Sequence, residues 1–122
     1  MSRRVVVTGL GMITPLGHTA EESWSAMVAG RSGTARISLF DPEAFPSQVA
    51  GEVKDFDPVQ FMDRKDAKRA DRTTQFTFVA ADEAIRQSGL QLDREAGCRA
   101  AVIIGTAIGG ITTMSADNSS HP

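Results

Sequence analysis

Cysteine is almost missing from this chain. Cys98 is the only one, so an internal disulfide cannot form. Histidine is nearly as scarce, with His18 and His121 far apart in sequence. No apolar run is long enough to span a membrane. Arg3-Arg4 is followed only by a short apolar run broken by Gly and Thr, which does not make a signal peptide. An excess of positive charge is missing too: 13 Lys and Arg stand against 15 Asp and Glu, a net charge of -2 that argues against nucleic-acid binding. No internal repeat is present. These absences predict a cytoplasmic protein that engages neither membrane nor nucleic acid. What remains is ordinary for a globular protein, with 41% hydrophobic and 23% charged residues. The 122 residues suffice for one small domain with a core.

The organising stretch is Val5-Val6-Val7-Thr8-Gly9-Leu10-Gly11-Met12-Ile13-Thr14-Pro15-Leu16-Gly17. Three consecutive Val read as a strand over 4–8 that is buried on both faces. The glycines and Pro15 then force a turning loop. Thr19-Ala20-Glu21-Glu22 is a capping box that opens a helix. Gly9-Leu10-Gly11 invites a dinucleotide reading, but Thr14 occupies the position of the third small residue, and the helix signal comes too late to face a pyrophosphate. No strand ending in an acid follows at the spacing a ribose contact wants.

The helix should run from about Ala20 to Ala29, with Ala20, Trp24, Met27 and Val28 as its core face and Gly30 as its left-handed stop. Residues 31–48 read as irregular, Val49–Val53 as a short strand, and Asp57-Pro58 as the cap and first residue of a short helix to about Met62. Residues 63–72 hold five bases, Arg64, Lys65, Lys68, Arg69 and Arg72. On one continuous helix they would fall within an arc of roughly 140°. Spacing alone leaves this open between a solvated face with intrahelical ion pairs and a site for an acidic partner. A long, mostly buried helix should follow from about Arg72 to Ser88, stopped by Gly89. Ala100 to Ile104 reads as a second buried strand, and Gly105 to Gly110 as the loop at its carboxyl end, where ligands gather in open α/β sheets.

The run V-V-V-T-G-x-G-x-I-T-P-x-G resembles the amino-terminal signature of the β-ketoacyl-ACP synthases, and within them the β-ketoacyl-ACP synthase II type. The similarity continues through Gly51-Glu52-Val53-Lys54-Asp55-Phe56-Asp57, from Arg64-Lys65 to Asp71, and through Ile104-Gly105-Thr106-Ala107-Ile108-Gly109-Gly110. It covers the chain to about Thr113, but only the front part of the family's length. The resemblance implies an α/β fold: the amino-terminal part of a thiolase-like fold, with a mostly parallel sheet and covering helices, incomplete in this chain. It divides the chain into residues 1–113, part of that fold, and a polar tail at 114–122, where the family continues into a more apolar helix.

It also implies an acyltransferase of fatty-acid biosynthesis that condenses acyl-ACP, through an acyl-cysteine, with malonyl-ACP. The full-length parent is expected to be a homodimer needing no cofactor or metal, since its substrates carry phosphopantetheine on acyl carrier protein. Lys65, Lys68 and Arg69 match the family's docking patch for that carrier, whose acidic surface and phosphodiester suit a basic helix face. Ile108 matches a residue lining the acyl pocket near the dimer interface, and Ala107 stands where the family usually has Gly. No catalytic residue carries over. The family's nucleophile lies in an A-C-[ST]-[SAG] context at a strand-to-helix turn, whereas Cys98 lies between Gly97 and Arg99 ahead of a strand and reads as a partly buried structural cysteine. His18 and His121 match neither family histidine. A non-catalytic module that binds acyl carrier protein is the competing expectation.

The expected outcome is that the 122-residue chain alone forms no condensation product from acyl-ACP and malonyl-ACP. Product that disappears in Cys98→Ala would show instead that Cys98 is a nucleophile.

Overall fold

The computed structural model describes residues 3–91, 93, 97–111 and 113–114. Helix α1 spans Ala20–Val28, strands β1 and β2 span Thr34–Arg36 and Val49–Gly51, and a 3₁₀ turn covers Pro58–Gln60. Helices α2, Arg64–Arg69, and α3, Arg72–Ser88, complete the named elements. The strands pair antiparallel, Thr34 opposite Gly51 and Arg36 opposite Val49. The result is a mixed α/β unit with one small sheet.

Capping chemistry sets most of the boundaries. Thr19 Oγ1 accepts from Glu22 N at 3.1 Å. The return bond of the box runs from His18 N to Glu22 Oε2 at 2.8 Å, one residue ahead of the cap. Asp57, Asp63 and Asp71 cap the 3₁₀ turn, α2 and α3, each accepting a backbone N–H. Gly30 and Gly89 take positive φ and stop α1 and α3, as the sequence predicts.

The Gly-x-Gly loop does something the sequence does not announce. Its backbone lies directly on α3. An ideal Cβ at Gly9 would sit 2.0 Å from the Ala84 carbonyl oxygen, and one at Gly11 would sit 1.9 Å from that of Ala80. The loop amides are then taken by α3 side chains: Leu10 N donates to Gln87 Oε1, and Met12 N to Glu83 Oε2 at 2.9 Å. Alternate amides along an extended stretch meet acceptors one helical turn apart. Glu83 Oε1 also accepts from Ala20 N at 2.9 Å, so one carboxylate holds both the loop and the first turn of α1.

Beyond the loop, Thr14 and Gly17 exchange backbone bonds of 2.9 and 3.2 Å. The turn rests on Ser23, fully buried, whose Oγ lies 2.8 Å from Thr14 Oγ1. Pro15 fills the space that side chains at Gly33 and Gly51 would need, which seats the turn on the β1–β2 hairpin. His18 Nε2 bonds the Lys54 carbonyl oxygen at 2.8 Å, and its ring meets Phe56 edge-on at 5.7 Å. Phe56 is buried between Phe61, stacked at 5.7 Å, and Phe76, edge-on at 5.0 Å.

Several expectations need correction. The face of α1 carrying Trp24, Met27 and Val28 is exposed, Trp24 by 65%; the buried residues are Ser23 and Ala26. Small residues face inward there because the Gly17 turn comes too close for larger ones: an ideal Cβ at Gly17 would meet Glu22 Cβ at 2.5 Å. Helix α3 is only partly covered, with Val79 buried and Phe78 and Ile85 exposed. The segments 4–8 and 100–104 are not strands in any ladder among the described residues. They lie open, Val6 by 74% and Ile103 by 93%, because no neighbour is present along their edges. Residues 31–48 are not wholly irregular, since β1 lies within them; Thr34-Ala35-Arg36 has no alternation to announce a strand, and its partner comes only after the connection 37–48. Cys98 is exposed rather than partly buried. The proposed tail from Ser115 on, with His121, lies outside the described residues.

Glu52 ties the chain after β1 to the end of β2. Its carboxylate accepts from Ser38 Oγ at 2.6 Å, Ser38 N at 2.9 Å and Leu39 N at 3.1 Å. These bonds, the Ser38 hydroxyl foremost, hold its carboxyl below the ordinary glutamate range, with Lys54 adding a small attraction.

Two outcomes follow. Gly11→Ala should destabilise by about 2–3 kcal/mol through backbone overpacking, while Gly97→Ala, where nothing lies within 4 Å of an added Cβ, should leave the denaturant midpoint unchanged. Because the Glu52 value is lowered on folding, its stabilisation is full above about pH 4.3 and is lost as pH falls through the lowered folded value. The Ser38 amide signal in an NMR titration should follow that acid-side midpoint and stop doing so in Glu52→Gln.

Candidate functional site

The charged surface is built on α2. This helix is only six residues long, begins at the Asp63 cap and buries Ala67 alone. Lys65, Lys68 and Arg69 are all exposed, and so is Arg64. Lys68 and Arg69 lie in the last turn, where the free carbonyls favour cations. The ion pairs among the described residues are Arg36–Glu43 at 4.0 Å and Arg86–Asp82 at 2.6 Å, and neither touches this cluster. The intrahelical pairs of a merely solvated face are thus not formed.

Arg72 does not belong to the patch. The helix breaks at Ala70, whose ψ of 132° is extended, and Asp71 caps a new helix. Arg72 is exposed but lies over two aromatic rings. Its guanidinium lies 5.1 Å from the Phe56 ring centroid and 4.7 Å from that of Phe76, and it donates to the Val53 carbonyl at 3.0 Å. The single arc of five bases becomes four bases on one short helix and one structural arginine.

The loop 105–110 reaches the same end of α3. An ideal Cβ at Gly109 would lie 3.5 Å from Thr73 Cγ2, and one at Gly110 would lie 3.4 Å from the Asp71 carboxylate. Gly110 takes φ 76°, while Ala107 keeps a negative φ, so the alanine at that position costs the backbone nothing. Ile108 is 68% exposed on this loop. A cleft of about 490 Å³ opens between α3 and the segment 102–109, lined by Thr77, Phe78, Ala81, Val102 and Ile104 among others, but not by Ile108. The structure thus brings the basic helix and the Ile108 loop to one end of α3 without placing Ile108 in a cavity.

Among the described residues no histidine bonds Cys98, His18 is committed to the Lys54 carbonyl and Phe56, and no group of three or more metal-binding side chains occurs. No helix is long and apolar enough to cross a membrane. The residues that sequence reasoning missed are Glu83 and Gln75. Both act on backbone groups, and no side-chain motif marks such targets.

Among solved structures, "The ishigamide ketosynthase/chain length factor" superposes with a TM-score of 0.62 at 38% identity, over 73% of this chain and 22% of that one. The fold is thus of the ketosynthase class. The chain matches the family model for "Beta-ketoacyl synthase, N-terminal domain" over residues 2–122 and belongs to that transferase family. It is 44% identical over 117 residues to 3-oxoacyl-[acyl-carrier-protein] synthase 2 of Vibrio harveyi, covering 96% of this chain and 28% of that protein. It is 47% identical over 118 residues to a putative polyketide beta-ketoacyl synthase 1 of Streptomyces halstedii, with the same coverage. The chain therefore spans little more than a quarter of the length of these relatives.

Proposed function

We propose that this chain is the front part of a β-ketoacyl-ACP synthase that condenses acyl-ACP with malonyl-ACP to 3-oxoacyl-ACP and CO2, and that its own task is to receive acyl carrier protein on α2. The observation that carries the reading is the exposed cluster Lys65, Lys68 and Arg69, free of ion pairs among the described residues, in a chain of net charge -2. A carrier with an acidic surface and a phosphodiester-linked arm is steered by such a face. The Ile108 loop at the same end of α3 suits a residue that gates an acyl chain by volume once the rest of the pocket surrounds it.

The condensing chemistry belongs to residues other than those described here. A cysteine nucleophile needs a lowered pKa and a base, and the developing oxyanion needs preorganised donors. Cys98, exposed between Gly97 and Arg99, bonds no base among the described residues. The chain's surface supports a larger body. Its accessible area is 10255 Å², where a folded monomer of 13.0 kDa exposes roughly 6300 Å². Val5 to Val7 and Val102 to Ile104 are among the large apolar residues left exposed. These segments suit strands of a mostly parallel thiolase-like sheet, completed by further sequence in a cytoplasmic homodimer. The same exposure disfavours a free-standing carrier-binding module.

Reversing Lys65, Lys68 and Arg69 to Glu in the parent synthase should weaken carrier binding roughly tenfold or more and flatten its salt dependence, as loss of steering charge requires. Unchanged affinity across a salt titration would return the cluster to a solvated face.

A further inference from the structure

We propose that Gln75 is a positioning residue for carrier docking: its side-chain amide fixes how α2 presents Lys68 and Arg69. The inference rests on the docking reading above. A helix of six residues does not hold by itself in water. Its last carbonyls also lack intrahelical donors. Gln75 Nε2 supplies two of the missing protons, donating to the Ala67 carbonyl at 2.9 Å and to that of the C-cap Ala70 at 3.0 Å. Among the described residues, these are the hydrogen bonds that run from an α3 side chain to α2. The two acceptors bracket Lys68 and Arg69 in sequence, so the amide grips the turn that carries them. Gln75 is itself well anchored. Its N–H bonds the Asp71 carbonyl at 2.9 Å in the first turn of α3, and Arg72 beside it is held by Phe56, Phe76 and the Val53 carbonyl. The basic turn is thus tied to the long helix through one side chain. Without it, the bases keep their charge but lose a fixed orientation, and docking pays more ordering entropy.

The test uses the parent synthase with two acyl donors, acyl carrier protein and a small acyl-pantetheine thioester that does not need the docking face. Gln75→Leu should lower kcat/KM for the carrier-borne substrate roughly three- to tenfold, as loss of one or two hydrogen bonds requires, mainly through KM. The small thioester should react as before. Added to the triple Lys65→Glu, Lys68→Glu, Arg69→Glu variant, Gln75→Leu should have little further effect. Equal losses with both substrates, or no loss with the carrier, would overturn the inference. If the triple variant also leaves the carrier-borne substrate unaffected, the docking reading fails and takes this inference with it. If the triple variant discriminates and Gln75→Leu does not, the inference alone falls. Should Gln75→Leu not yield folded protein, Gln75→Glu, isosteric and unable to donate at neutral pH, takes its place under the same criteria.

Discussion

Everything in this unit depends on the backbone of residues 9–12 lying against the backbone of α3. Two glycines make the approach possible, since neither has a Cβ to hold the carbonyls of Ala80 and Ala84 away. Glu83 and Gln87 then occupy the loop amides that such an approach would otherwise leave bare. The geometry propagates. Glu83 also anchors the start of α1, Ser23 of α1 supports the Thr14–Gly17 turn, and Pro15 of that turn sits on the hairpin. From there His18 and Lys54 carry the connection to Phe56 and Arg72, next to the basic helix. A glycine pattern that suggests a phosphate cradle is in fact a packing surface.

Local chemistry was the legible part of the sequence. The Thr19 and Asp57 caps and the Gly30 and Gly89 stops act within a few residues, so their signals are read without knowing the fold. The burial of Trp24 and of most of α3 was misread because apolar periodicity says that a face needs cover, not that the cover lies in the same 122 residues. Segments 4–8 and 100–104 failed in the same way: their composition suits a buried strand, but a strand exists only with a neighbour. In the candidate site, Lys65, Lys68 and Arg69 fell where a helical reading puts them. Arg72 did not, because a two-residue break at Ala70 and Asp71 resets the phase of the helix. Glu83 and Gln75 were invisible because their partners are main-chain groups.

The division of labour among the arginines and lysines of residues 64–72 shows how neighbouring charges take different tasks. Four stay in water, where their field reaches a partner at about a Debye length. The fifth, Arg72, lies over two aromatic rings and serves as mortar for the corner beneath them.

The bonds of Glu83 and Gln87 also set an order of events during synthesis. Their partners Met12 and Leu10 stand 71 and 77 residues earlier in the chain. At roughly 5–20 residues per second on the ribosome, the glycine loop spends several seconds without the helix it rests on. Folding of this front portion is therefore gated by completion of its last long helix.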